Sequence, residues 1–110
     1  MEINSYQQIY TLGIWKVKTG KEKEFINEWT LFARWTSENV NDTGTAYLLR
    51  DEKDQSKFIS FGPWDNIGLV QQWRESNEFK EFAAKAKNLC DEFQPHTLKV
   101  VSVSDPKGSY

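Results

Sequence analysis

One cysteine, one histidine and one methionine are all that the 110 residues contain of those types, beside three prolines and six glycines. A lone Cys90 excludes an intrachain disulfide and points to a reducing compartment, so the expected location is cytoplasmic. One His and one Cys cannot supply a conventional zinc site, and no metal is expected. An excess of positive charge is also missing: 14 Lys and Arg stand against 16 Asp and Glu, a net charge of −2. A chain without a basic footprint is poorly suited to nucleic acid or to an anionic membrane. The opening Met1 to Gln8 is polar, with no apolar run long enough for a signal or anchor. There is no Gly-x-Gly-x-x-Gly signature, and Gly62-Pro63-Trp64 is not a phosphate loop, so no nicotinamide or flavin cofactor is expected. Glu22, Glu24, Glu28, Asp91 and Glu92 read as charges on helix surfaces rather than as a catalytic carboxylate pair.

Aromatic residues, by contrast, are plentiful: 15% of the chain, including five Trp. Such a load argues against disorder, and the length fits one domain over residues 1–110, with a core from about 8 to 103 and loose termini. The densest stretch is Phe58-Ile59-Ser60-Phe61-Gly62-Pro63-Trp64-Asp65. It reads as a strand that stops at Gly-Pro, presents one indole, and hands over to a helix capped by Asp65.

Ahead of it, Gln8 to Val17 is β-prone with apolar residues on both alternating faces: Tyr10, Leu12 and Ile14 on one, Ile9, Trp15 and Val17 on the other. Thr19-Gly20-Lys21-Glu22 has the capping-box pattern. The helix after it repeats Phe25, Ile26, Trp29, Phe32, Ala33 and Thr36 at a period near 3.6, with Arg34 nearly opposite that stripe. Thr45 to Arg50 is a second strand, and Asp51 to Lys57 a solvated hairpin loop. After the third strand a short helix is expected over Asn66 to Arg74. Ser76 then caps a longer helix carrying Phe79, Phe82, Ala83, Ala86, Leu89, Cys90 and Phe93, which Pro95 ends. A last strand is expected over His96 to Val103.

The order strand, helix, strand, strand, helix pair, strand predicts an α+β domain of ferredoxin-like βαββαβ type with a split second helix and an antiparallel four-stranded sheet. Right-handed crossovers place all the helices on one face of that sheet. Since the strands are apolar on both faces, the second face needs a cover; the same face of a second copy is the simplest one, and the alternative, a lipid or membrane surface, is disfavoured by the acidic balance. The expected assembly is a homodimeric barrel, two sheets back to back with the helices outside.

On that architecture the sequence resembles the antibiotic biosynthesis monooxygenase family of dimeric α+β barrels, over roughly Tyr10 to Val103. The matching features are Val17-Lys18-Thr19-Gly20-Lys21 after a Trp-bearing first strand, Glu24-Phe25 opening a long helix, the stretch from Phe58 to Asp65, and Trp73-Arg74-Glu75-Ser76 with Glu78-Phe79. The resemblance implies a cofactor-independent oxygenase acting on a small aromatic or quinol-type substrate in an apolar pocket. A non-catalytic dimeric ligand-binding or assembly module of the same fold is the alternative. Haem-degrading relatives use an Asn and a His where Gly13 and Ala83 stand here, and neither residue can ligate iron or donate from a side chain.

The same resemblance makes Trp64 a substrate-binding wall and donor, against the alternative of a Trp that clamps strand to helix. Ser60 shares its parity and is a candidate second donor, catalytic or substrate-binding, against local satisfaction by backbone. His96 is the only imidazole and so the candidate general base near neutrality, against a structural role at a strand start. Trp15, Trp29 and Tyr47 complete the candidate substrate-binding set, each with a packing role as its alternative. Cys90 falls in a buried stripe rather than an activated setting.

Overall fold

Two long strands, β1 (Ile9–Val17) and β3 (Lys57–Trp64), pair antiparallel at the centre of the sheet. They are flanked by β2 (Tyr47–Arg50) on β3 and β4 (Cys90–Lys99) on β1, giving the order β2-β3-β1-β4. The connections carry α1 (Glu22–Asn39) between β1 and β2, and α2 (Ile67–Glu75) with α3 (Asn77–Leu89) between β3 and β4. This is the ferredoxin-like α+β arrangement with a split second helix. The computed structural model describes residues 8–106; the expected loose N-terminus over residues 1–7 and the tail beyond residue 106 lie outside the described residues. Among the described residues no helix is long and apolar enough to cross a membrane.

Period-two alternation decides what each strand residue does. On the helix side of the central pair the rungs run Trp15 opposite Phe58, Gly13 opposite Ser60, Thr11 opposite Gly62 and Ile9 opposite Trp64. Trp15, Phe58 and Trp64 are buried there, and Phe25 of α1 and Phe82 of α3 close over Trp15 at ring-centroid distances of 5.0 and 5.9 Å. Phe25, Phe58 and Val17 are almost wholly removed from water, each contributing about 1.5–3 kcal/mol of transfer free energy. On the opposite side stand Leu12 against Phe61, Ile14 against Ile59, Tyr47 against Phe61 and Tyr10 against Leu98, with no helix over them. Tyr47, Leu49 and Leu98 remain 51, 49 and 44% exposed. The double-sided apolar sheet expected from the sequence is thus present, and one side of it is bare.

Several element ends differ from expectation, among them the second strand, which starts at Tyr47 rather than Thr45. The capping box is half made: Glu22 Oε1 accepts from the Gly20 N–H at 2.9 Å, but the residue preceding the helix is Lys21 and no side chain caps it. Gly20 takes φ of +90°, and the Lys21 N–H bonds back to the Lys18 carbonyl at 2.9 Å, so an extra turn carries Thr19 out of capping range. At α2 the cap is Asn66, not Asp65: its Oδ1 accepts from the Leu69 N–H at 3.0 Å. Ser76 caps α3 as expected, accepting from Phe79 N–H at 3.1 Å.

The largest correction concerns Pro95. It does not end α3, which stops at Leu89, but sits inside β4, while the strand expected to reach Val103 ends at Lys99. The spacing of Leu89, Cys90 and Phe93 fits a helix, yet Phe93 gains more by lying opposite Trp15, their rings stacked at 3.9 Å. Since β4 is an edge strand, a residue without a backbone donor can occupy it.

Candidate functional site

A cavity of about 810 Å³ lies between the sheet and the helices. Its origin is legible in the rungs. The two middle ones on the helix side, Gly13–Ser60 and Thr11–Gly62, are small, whereas Trp15–Phe58 and Trp64 at the ends are large. The helices rest on the large ends and leave the middle open. Ala33 of α1 and Ala83 of α3 keep the roof thin, and Trp29 and Trp73 stand at the walls.

Gly13 has a specific reason to be glycine. A methyl there would lie 2.9 Å from Trp15 Nε1 and 3.0 Å from both Phe93 Cε1 and Ser60 Oγ. Without it, the Trp15 indole lies across β1 and donates to Ser60 Oγ at 3.0 Å. Two further indoles do the same: Trp64 Nε1 donates to Thr11 Oγ1 at 2.9 Å, and Trp73 Nε1 to Thr36 Oγ1 at 2.9 Å. Thr36 spends its own proton on the Phe32 carbonyl at 2.8 Å. Ser60 and Thr11 have no such acceptor among the described residues. A hydroxyl that accepts from an indole keeps its own proton to donate elsewhere, and both Ser60 and Thr11 line the cavity.

The expected residues therefore fall into two groups. Trp64, Ser60, Trp15 and Trp29 share the cavity. The Trp64 N–H is engaged by Thr11, so its donor capacity toward a ligand passes to the Thr11 hydroxyl. Tyr47 lies on the helix-free side, opposite Phe61, and does not border this cavity. His96 touches the rim but pairs with Leu12, which places the imidazole on the helix-free side of β4, across the sheet from Ser60 and Trp64. Two contributors escaped the sequence reading: Thr11, whose parity with Trp15 was available but whose polarity hid it, and Arg74, which the resemblance included only as part of a motif; Arg34, whose helical phase favoured a surface role over reaching an anionic substrate, is exposed and also borders the cavity. Among the described residues no cluster of His, Cys, Asp or Glu is arranged to hold a metal ion.

Cys90 forms part of the cavity wall and is 8% exposed. Burial pushes its thiol up to about 11, with the Asp91 carboxylate adding to the rise and Lys18 opposing it. The neutral thiol therefore favours the folded state below the ordinary thiol value of 9.0, and this contribution is lost as pH climbs toward about 11. Urea midpoints of wild type and Cys90→Ala, compared through that window, should show a fall in the wild type that the variant lacks. Identical pH dependence would remove the assignment.

The antibiotic biosynthesis monooxygenase family profile matches residues 9–85. None of the curated proteins matches the chain in sequence. Among solved structures, a conserved protein from Methanosarcina mazei Go1 is similar with a TM-score of 0.78 at 18% identity, over 87% of this chain and 95% of that one. SnoaB, a cofactor-independent oxygenase from Streptomyces nogalater, is similar with a TM-score of 0.79 at 12% identity, over 88% and 96%. At such identities the likeness establishes the fold.

Proposed function

The chain belongs to the antibiotic biosynthesis monooxygenase family, and from that premise we propose that it is a homodimeric, cofactor-independent monooxygenase acting on a small electron-rich aromatic, a phenol, quinol or anthrone. The observation that carries this reading is the pair of hydroxyls on cavity-lining residues, Ser60 and Thr11, each accepting from an indole N–H and each with its own proton left to donate. The oxygenase activity of a structural relative supports it at the level of the fold.

For an anthrone the chemistry balances without a further reductant. The ring carbon loses a proton, and the resulting anion passes an electron to O₂ and combines with it as a peroxide. Cleavage of the O–O bond releases water and leaves one oxygen atom as a new carbonyl. The protein's part is to orient the ring between aromatic walls and to stabilise the enolate oxygen that forms on deprotonation. Ser60 and Thr11 are the donors for that oxygen, and Trp15 and Trp64 hold them in place. Water takes the proton in this scheme, since His96 meets the cavity only at its rim and pairs with Leu12 rather than on the Ser60 face.

The test is oxygen uptake by metal-stripped protein with a panel of anthrones and quinols. Turnover that persists without metal is the expected result. No uptake across the panel, or uptake only on restoring a metal, overturns the proposal. One observation favours the second reading, a non-catalytic binding module: the indole N–H groups of Trp15, Trp64 and Trp73 are all consumed inside the protein.

A further inference from the structure

The two ends of the cavity differ in chemistry. At one end Trp15, Phe82 and Phe93 offer only ring surface beyond the Ser60 contact. At the other, Arg74 in the last turn of α2 borders the cavity and its Nη2 donates to Thr97 Oγ1 at 2.8 Å. Thr97 lies opposite Thr11 across β1 and β4, on the helix side. Trp73, the residue before Arg74, packs on Trp64 at 4.9 Å. The guanidinium, the Thr11 hydroxyl and the Trp64 indole are therefore gathered at one end.

Arg74 is half-buried, and no carboxylate among the described residues lies within ion-pair distance of it. Among the described residues the ion pairs join Lys16 to Asp54, Lys21 to Glu24 and Lys85 to Glu28, none of which lines the cavity. A guanidinium has five donors in a flat fork, and Thr97 accounts for one. Arg34 also borders the cavity but is exposed, and no side-chain bond among the described residues holds it. Lys87 lines the cavity too and is exposed, with no side-chain bond among the described residues holding it. Of the cations lining the cavity, Arg74 is the one whose side chain is held by a hydrogen bond, and among the described residues it has no ion pair.

Resting on the reading of the cavity as an aromatic-binding site, we propose that the ligand carries a carboxylate, held by Arg74 beside Thr11, with its ring toward Trp15 and Phe93. A planar carboxylate matches the guanidinium fork in a way that a neutral ring substituent does not.

Calorimetric titration with naphthoate and naphthamide, which share ring and shape and differ in charge, tests it. The wild type is expected to bind naphthoate about tenfold more tightly, the scale of one hydrogen bond to a charged group. Arg74→Gln should abolish the preference, bringing naphthoate to the affinity of naphthamide, with an unchanged urea midpoint verifying the fold. Arg74→Lys keeps the charge without the fork; it should retain part of the preference and carries the test if the glutamine variant does not fold. Equal binding of both compounds by the wild type overturns the carboxylate proposal and leaves the aromatic site standing. A preference undiminished in Arg74→Gln, or in Arg74→Lys where that variant carries the test, overturns it as well. Binding of neither compound overturns both readings together.

Discussion

Trp64→Ala is expected to lower the unfolding free energy by about 3–5 kcal/mol, the range for removing a large aromatic from a core. Trp64 is 3% exposed, leans on Trp73, and closes one end of the cavity. Its loss leaves a hole where α2 meets the sheet and releases the Thr11 hydroxyl from its indole donor. Trp64→Phe separates these effects, since it keeps most of the ring volume and removes only the N–H. Urea unfolding measures the first effect, and oxygen uptake with an accepted anthrone the second. If the protein is an oxygenase, Trp64→Phe stays folded and loses at least about tenfold in turnover, the equivalent of one misdirected hydrogen bond. Full turnover in Trp64→Phe would sink the role given to Thr11. A large stability loss in Trp64→Ala with ligand binding intact would favour the module.

Leu49→Asp is expected to convert a dimer into single subunits. Leu49 stands opposite Ile59 on the helix-free side, where Tyr10, Leu12, Ile14 and Phe61 also lie. Apolar side chains gathered on one sheet face that no helix covers are the kind of surface that marks an interaction site. In an isologous pair each substitution occurs twice, so two carboxylates would enter one interface. Several kcal/mol of desolvation raises the dissociation constant about a hundredfold or more. Within the subunit the cost is small, because Leu49 is already 49% exposed on a strand at the sheet border. Sedimentation velocity at micromolar concentration reads the outcome. A wild type that sediments as a single subunit would end both this prediction and the homodimer in the proposed function.

Much of the fold was readable because strand alternation and helical period are strong local signals. Phe25, Trp29, Phe32 and Thr36 line up on α1 as their spacing demands, and Trp15, Val17, Phe58 and Trp64 fall on the helix side of the strands. What escaped was decided between distant residues. Whether Cys90 to Pro95 coils or extends depends on Trp15 and Gly13, some 80 residues earlier by sequence, which supply the strand partners. The cavity was harder still to foresee. Its floor is made by Gly13, Ser60, Thr11 and Gly62, and small residues leave no hydrophobic trace in a pattern search. Only the pairing of Gly13 with Ser60 and Thr11 with Gly62 shows that the low points coincide. His96 and Tyr47 were singled out by chemical type, and register then set them on the far side of the sheet.

The proline inside β4 has a consequence for how copies meet. An open strand border is a template onto which another chain can add, and then another, without limit. Here one border is interrupted by Pro95 and bears Asp91, Glu92 and Lys99, while the other belongs to a strand of only four residues, Tyr47–Arg50. Growth by lateral addition is blunted at both margins, and the route left to association is broadside, which closes after one partner. Where copies of such a sheet associate, its margins favour a closed pair over a fibre.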